Sequence, residues 1–234
     1  MDERDLKPEN QWYMEQLSGK CINALEKNRI GGFYAAGKEE ACSQVLEMIP
    51  QGCSVGIGDS VTLYQIGLIQ QLHKSNNYEM INPFWQDDGG WKTPFEREGV
   101  DKMKAAIRAD VFLTGTNAVT LDGKLVNIDG FGNRVAAMVF GPGKVIMVAG
   151  ANKVVPNVDE ALKRIKQIAA PINSKRHHLK HDMHMPPCAI SGVCSDCKHE
   201  FRICRTTVII EQGLLRRSGK PRLNLVLVGE ELGI

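Results

Sequence analysis

Nowhere in the 234 residues does an apolar run approach the ~18 needed to cross a bilayer, which excludes a helical membrane protein. The first ten residues, MDERDLKPEN, lack the apolar core of a secretory signal, so a cytoplasmic location is the expectation. An excess of one charge is also missing. The 29 Lys and Arg residues are interspersed with 27 Asp and Glu, for a net charge of +2, and no general nucleic-acid footprint follows. The one basic cluster, residues 175–181 (KRHHLKH), reads as a solvated connector. With no export signal, the seven cysteines are expected as reduced thiols or metal ligands, not as disulfides. Cys21, Cys42 and Cys53 stand apart within apolar patterns and read as core residues.

What is present is enough apolar sequence, 43%, to fill the core of one large domain or of a domain with an appendage. Residues 109–150 form the centre of the chain. Residues 111–114 and 144–149 are short β-branched runs bounded by Gly, as in parallel strands covered on both faces. Between them Asp122-Gly123 suits a two-residue hairpin, and Asn133 is placed to cap a helix over residues 133–139.

Upstream, the pattern predicts a long helix over residues 8–29 with Trp12, Leu17, Cys21, Ile22 and Leu25 on one side. A strand over 31–36, a helix over 38–49 and a strand over 54–57 follow. Residues 61–73 read as one largely buried helix, 79–82 as a strand and 95–108 as a helix. Residues 83–94, with Trp85 and Trp91, form a loop of the kind that covers a site. Val158, Ala161, Leu162, Ile165 and Ile168 fit an amphipathic helix. The alternation predicts an α/β fold with a mostly parallel sheet flanked by helices. The expected divisions are a core over 1–170, a Cys-rich metal-binding insert over 171–205, and C-terminal strands over 206–234 completing the core.

Gly56, Gly58, Asp59, Ser60 and Thr62 crowd one strand-to-helix junction, suited to a phosphate, a carboxylate or a sugar hydroxyl. Thr114, Gly115, Thr116, Asn117, Asp129, Asn133 and Arg134 fall at strand ends or helix starts. Lys153 follows the next strand. Open α/β sheets bind ligands at this carboxyl rim. Asp59, Asp129 and Arg134 are the catalytic candidates, with Arg134 expected to pair a substrate carboxylate through its planar donors.

Cys188, Cys194, Cys197 and Cys204 follow a C-x5-C-x2-C-x6-C spacing, four thiols in 17 residues, and read as metal ligands. A single C-x2-C pair with lone cysteines on either side favours a 4Fe-4S cluster, with zinc the alternative. His184 or His199 could replace one sulfur.

Several segments together resemble the lactate-utilisation (LUD) domain family. They are Gly56-x-Gly58-Asp59-Ser60, Ala109-Asp110-Val111, Thr114-Gly115-Thr116-Asn117-Ala118, Gly130-x-x-Asn133-Arg134-Val135-Ala136, Phe140-Gly141-Pro142 and residues 148–153 (VAGANK). The resemblance spans roughly residues 10–230. It implies the fold shared by ribose-phosphate isomerase, glucosamine-phosphate deaminase and CoA transferases, and a part in L-lactate oxidation to pyruvate beside iron-sulfur partner subunits. The cysteine insert departs from the short lactate-utilisation subunit.

The leading expectation is an iron-sulfur protein that binds a small hydroxy or keto acid and passes electrons to a partner subunit, with a homodimer also in view. The ligand is a small carboxylate or phosphate. One alternative is a non-redox isomerase or transferase using Asp59, Asp129 or Glu211 as acid and base. The other is a zinc-stapled binding module.

Overall fold

The computed structural model describes residues 5–84, 97–181 and 183–234. The proposed covering loop with Trp85 and Trp91 lies mostly outside the described residues. The strands are β1 (Gly31–Ala35), β2 (Ser54–Ile57), β3 (Glu79–Ile81), β4 (Val111–Gly115), β5 (Ala118–Thr120), β6 (Leu125–Asp129), β7 (Lys144–Gly150), β8 (Val154–Val155), β9 (Thr206–Ile210) and β10 (Leu223–Val228). The helices are α1 (Lys7–Lys27), α2 (Lys38–Met48), α3 (Val61–Gln65), α4 (Leu68–Lys74), α5 (Arg97–Ile107), α6 (Asn133–Val139), α7 (Val158–Arg164), α8 (Ala170–His181) and α9 (Pro187–Ser191). Among the described residues no helix is long and apolar enough to cross a membrane.

Six strands form a parallel sheet in the order β1-β10-β7-β4-β2-β3. Successive side chains alternate between its faces. Val111, Leu113, Ile146 and Val148 meet α2, α3 and α4 on one face. Phe112, Val145, Met147 and Ala149 meet α1, α5 and α6 on the other. This is the expected α/β architecture, helices on both sides of a parallel sheet. A second sheet, β8-β5-β6-β9, packs beside it, so of the two C-terminal strands only β10 enters the main sheet.

Four local expectations are corrected. Trp12 is 61% exposed and takes no part in the buried side of α1. The helix expected over 61–73 breaks into α3 and α4 at Gly67, whose φ of 73° lies in the left-handed region that glycine tolerates. The hairpin loop holds three residues, because Thr120 pairs with Lys124 and Gly123 takes φ 81°. Gly123 also abuts α1, where a Cβ would lie 2.5 Å from Ala24. Finally, Asn133 does not cap α6. Gly132 holds the N-cap position, while the Asp129 carboxylate accepts from the Phe131 and Gly132 amides at 3.0 and 2.8 Å.

The largest difference concerns residues 165–181. The chain does not leave the helix at Pro171. Ile165–Ala169 form a π-turn, in which the Ala170 amide donates to the Ile165 carbonyl, and α8 continues through the proline. Proline removes one amide and crowds the preceding turn, and the wider π-turn accommodates this without ending the helix. The register shift also turns Ile168 outward, to 47% exposure. The cluster at 175–181, expected as a connector, is the end of this helix.

Candidate functional site

The carboxyl ends of β2, β4 and β7 open into one cavity of about 500 Å³. Asp59, Ser60, Thr62, Gly115, Thr116, Asn117, Asp129, Asn133, Arg134 and Lys153 all line it. Gly56, Gly58 and Thr114 do not. Gly56 packs against α5, where a Cβ would lie 2.3 Å from the Ala106 carbonyl, and Gly58 faces Thr114 and the Phe112 ring. These three shape the layer beneath the floor.

Arg134 has a different task from the one expected of it. Its Nη1 donates to the Gly115 carbonyl (3.1 Å) and to Asn127 Oδ1 (2.7 Å). Its Nη2 donates to Asn117 Oδ1 and to the Ile128 carbonyl, both at 2.9 Å, and Nε lies 3.4 Å from the Asp129 carboxylate. A guanidinium has five N–H groups, and the protein engages all five. Arg134 therefore ties the end of β4 to β6 and α6 and keeps no in-plane donor for a ligand. Asn127, fully buried on β6, is the hub of this network and carried no sequence signal beyond being polar within an apolar strand.

Asp59 is gripped by Arg176 on α8 through two parallel bonds of 2.8 and 2.9 Å. Burial opposes the Asp59 charge, but the Arg176 fork, with His177 and Lys180 nearby, outweighs it and holds the carboxyl below its ordinary value. Replacing Arg176 by Met should leave burial in control. The Asp59 carboxyl is then expected to titrate above the ordinary carboxylate range, as read from its side-chain carbon resonance by NMR. His177, on the same helix, also lines the cavity. Burial, and then the charges of Arg176, His181 and Lys180 against the opposing pull of Asp59, lower it to about 4, so its ring is neutral near pH 7.

Lys153 sits in the 3-10 turn that follows β7 (Ala151–Lys153) and is only 4% exposed. Its ammonium reaches the Thr116 carbonyl at 3.3 Å and Thr62 Oγ1 at 3.4 Å, and among the described residues it has no carboxylate partner. Burial, then the charges of Arg164 and Arg134, lower it to about 7. The segment after β10 comes back over it: a Cβ on Gly233, itself at φ 71°, would lie 2.5 Å from Nζ.

The cavity roof comes from the cysteine insert, through Glu200, Phe201, Arg202 and Ile203 between Cys197 and Cys204. All seven cysteines are free thiols, with Cys21 and Cys42 buried in the core as expected and Cys53 half-buried. Cys188 is buried against Ser174, and its thiol is pushed up by that burial and then by Cys197, Cys204 and Cys194. Arg202 lies beside Cys204 and Cys197. Among the described residues no three His, Cys, Asp or Glu side chains converge into a ligating arrangement as they stand. The four thiols are unbonded, and Cys188 lies within electrostatic reach of the other three. His184 and His199 pack on the Phe201 ring, at 5.2 and 6.0 Å. Glu211 is exposed and lies off the cavity wall.

The profile of the LUD domain matches residues 19–228. Among solved structures, a DUF162 family protein from Deinococcus radiodurans is 13% identical with a TM-score of 0.45, over 93% of this chain and 97% of that one. The eIF2B beta of Chaetomium thermophilum is 17% identical with a TM-score of 0.34, over 53% of this chain and 44% of that one. No curated protein matches the sequence.

Proposed function

This chain belongs to the LUD domain family, and from that premise we propose that it binds a small hydroxy or oxo acid at the carboxyl edge of its parallel sheet and takes part in a lactate-utilisation redox reaction. The observation that carries the reading is Lys153, a buried amine on the cavity floor with no carboxylate partner among the described residues. An acid supplies one. Arg134, Lys153, Arg176, Arg202 and Arg205 also outnumber Asp59, Asp129 and Glu200 around the cavity, and Phe84, Met103, Ile128 and Phe201 give it apolar walls. The ligand carboxylate meets Lys153, the apolar walls exclude water, and the neutral His177 ring exchanges a proton with the ligand hydroxyl or carbonyl. Asp59, oriented by Arg176, and Asp129, committed to backbone amides and Arg134, position these groups.

In this reading Cys188, Cys194, Cys197 and Cys204 hold a 4Fe-4S cluster, with zinc the alternative occupant. When bound, such a cluster would supply one-electron transfer, with a partner subunit as the proposed electron acceptor and the cytoplasm as the proposed location. Anaerobically reconstituted protein is expected to be brown and to contain iron and inorganic sulfide in equal amounts. The double variant Cys194→Ser/Cys197→Ser is expected to lose both. A colourless protein that takes zinc alone would replace the redox role with a structural staple.

A further inference from the structure

The surroundings of Lys153 match an amine that reacts as well as one that binds. We propose that Lys153 forms a covalent imine with the carbonyl carbon of a 2-oxo acid seated in the cavity. The inference rests on the small-acid reading above and deepens it by assigning a covalent step to one nitrogen.

Three features of geometry carry it. Lys153 lines the acid-binding cavity, so a 2-oxo acid whose carboxylate pairs with the protonated amine also brings its adjacent carbonyl carbon to that nitrogen. No carboxylate among the described residues locks the amine as an ammonium, and its two polar contacts, with Thr62 Oγ1 and the Thr116 carbonyl, are long at 3.4 and 3.3 Å. Gly233 presses close without a side chain, which screens Nζ from water and leaves the cavity side open. Desolvation beside other cations is how a lysine is kept neutral enough to attack a carbonyl.

The step balances without an oxidant or reductant. The nitrogen lone pair attacks the carbonyl carbon and forms the C–N bond, and the C–O π pair moves to oxygen, which takes a proton. The nitrogen then loses its remaining excess proton as the hydroxyl leaves as water, giving the imine. Thr62, in contact with Nζ, is the group placed to pass these protons.

The test uses the full chain with pyruvate and sodium cyanoborohydride, which reduces an imine to a stable amine. Intact mass and peptide mapping then locate the adduct. At pH 7 roughly half of Lys153 is neutral, against about one part in three thousand for a lysine at its ordinary value. Labelling of Lys153 is therefore expected to exceed that of any surface lysine by roughly a hundredfold. L-Lactate, which lacks the carbonyl, is expected to protect Lys153 and to give no adduct, a control that needs no variant. In Lys153→Met the dominant adduct is expected to vanish. Pyruvate bound by calorimetry with no adduct at Lys153 would overturn the imine and leave the acid-binding reading standing. An adduct spread evenly over surface lysines would do the same. Absence of pyruvate and lactate binding would overturn both.

Discussion

Lys153→Met is expected to melt at a higher temperature than the wild-type protein and to bind no small acid. A buried ammonium with no carboxylate partner among the described residues is a liability for folding, and an apolar side chain of similar length is expected to stabilise on the scale found when buried ion pairs are replaced by apolar residues, roughly 1–4 kcal/mol. In a chain of this size each kcal/mol moves the midpoint by about 2–4 °C, so a rise of roughly 5 °C is expected. The pH dependence identifies the cause. The folded protein holds Lys153 at about 7, below its ordinary 10.5, so the unfolded chain binds more protons between these values. The destabilisation is complete below about 7 and fades as pH rises toward 10.5. The gap in melting temperature between variant and wild type should therefore narrow over that window. A gap that is constant with pH would assign the gain to packing and not to charge.

Arg134→Met is expected to do the opposite. The substitution takes a charged donor from each of the Asn117 and Asn127 side-chain oxygens and the Gly115 and Ile128 carbonyls, and leaves the 7%-exposed Asp129 carboxylate without its ion pair. Breaking a buried pair of this kind costs about 3–5 kcal/mol, which lowers the midpoint by roughly 10 °C. Arg134→Lys keeps the charge but offers three donors from a point where five were spread over a plane, and is expected to recover only a minor part of the loss. Were Arg134 instead the group that holds the ligand, its removal would abolish binding and leave the melting temperature nearly unchanged.

The two variants show how the sequence relates to this site. Strands β2, β4 and β7 were legible because short β-branched runs bounded by glycine are what a sheet buried on both faces requires, and the polar residues at their ends follow from that placement. The task of each polar residue was not legible. Nothing in Asn133-Arg134-Val135 shows that the guanidinium turns back into β6, because that depends on Asn127 and Asn117 presenting oxygens across the gap. Arg176 was missed for a plainer reason: it lies 117 residues from Asp59 in the chain. Pro171 also reads as an end to the helix that carries it, since a proline after a long amphipathic segment normally stops one. The π-turn at Ile165–Ala169 resolves that conflict only in three dimensions. Lys153 had the commonest of surface identities, and its burial comes from the 3-10 turn after β7 and from Gly233 arriving from the far end of the chain. The cysteine spacing was plain in the sequence. That residues 200–203 between two of those cysteines roof the cavity was not.

The most direct measurement of the central claim is a calorimetric titration of L-lactate into the wild-type protein and Lys153→Met at pH values on either side of 7. Lactate keeps its carboxylate charged throughout this range and offers no carbonyl, so the titration reads ionic pairing with the amine alone. The expected result is tightest binding below pH 7, weakening as Lys153 loses its proton above that value, and no binding in the variant. Equal affinity in wild type and variant, or an affinity that does not change across pH 7, would contradict the placement of the acid on this amine.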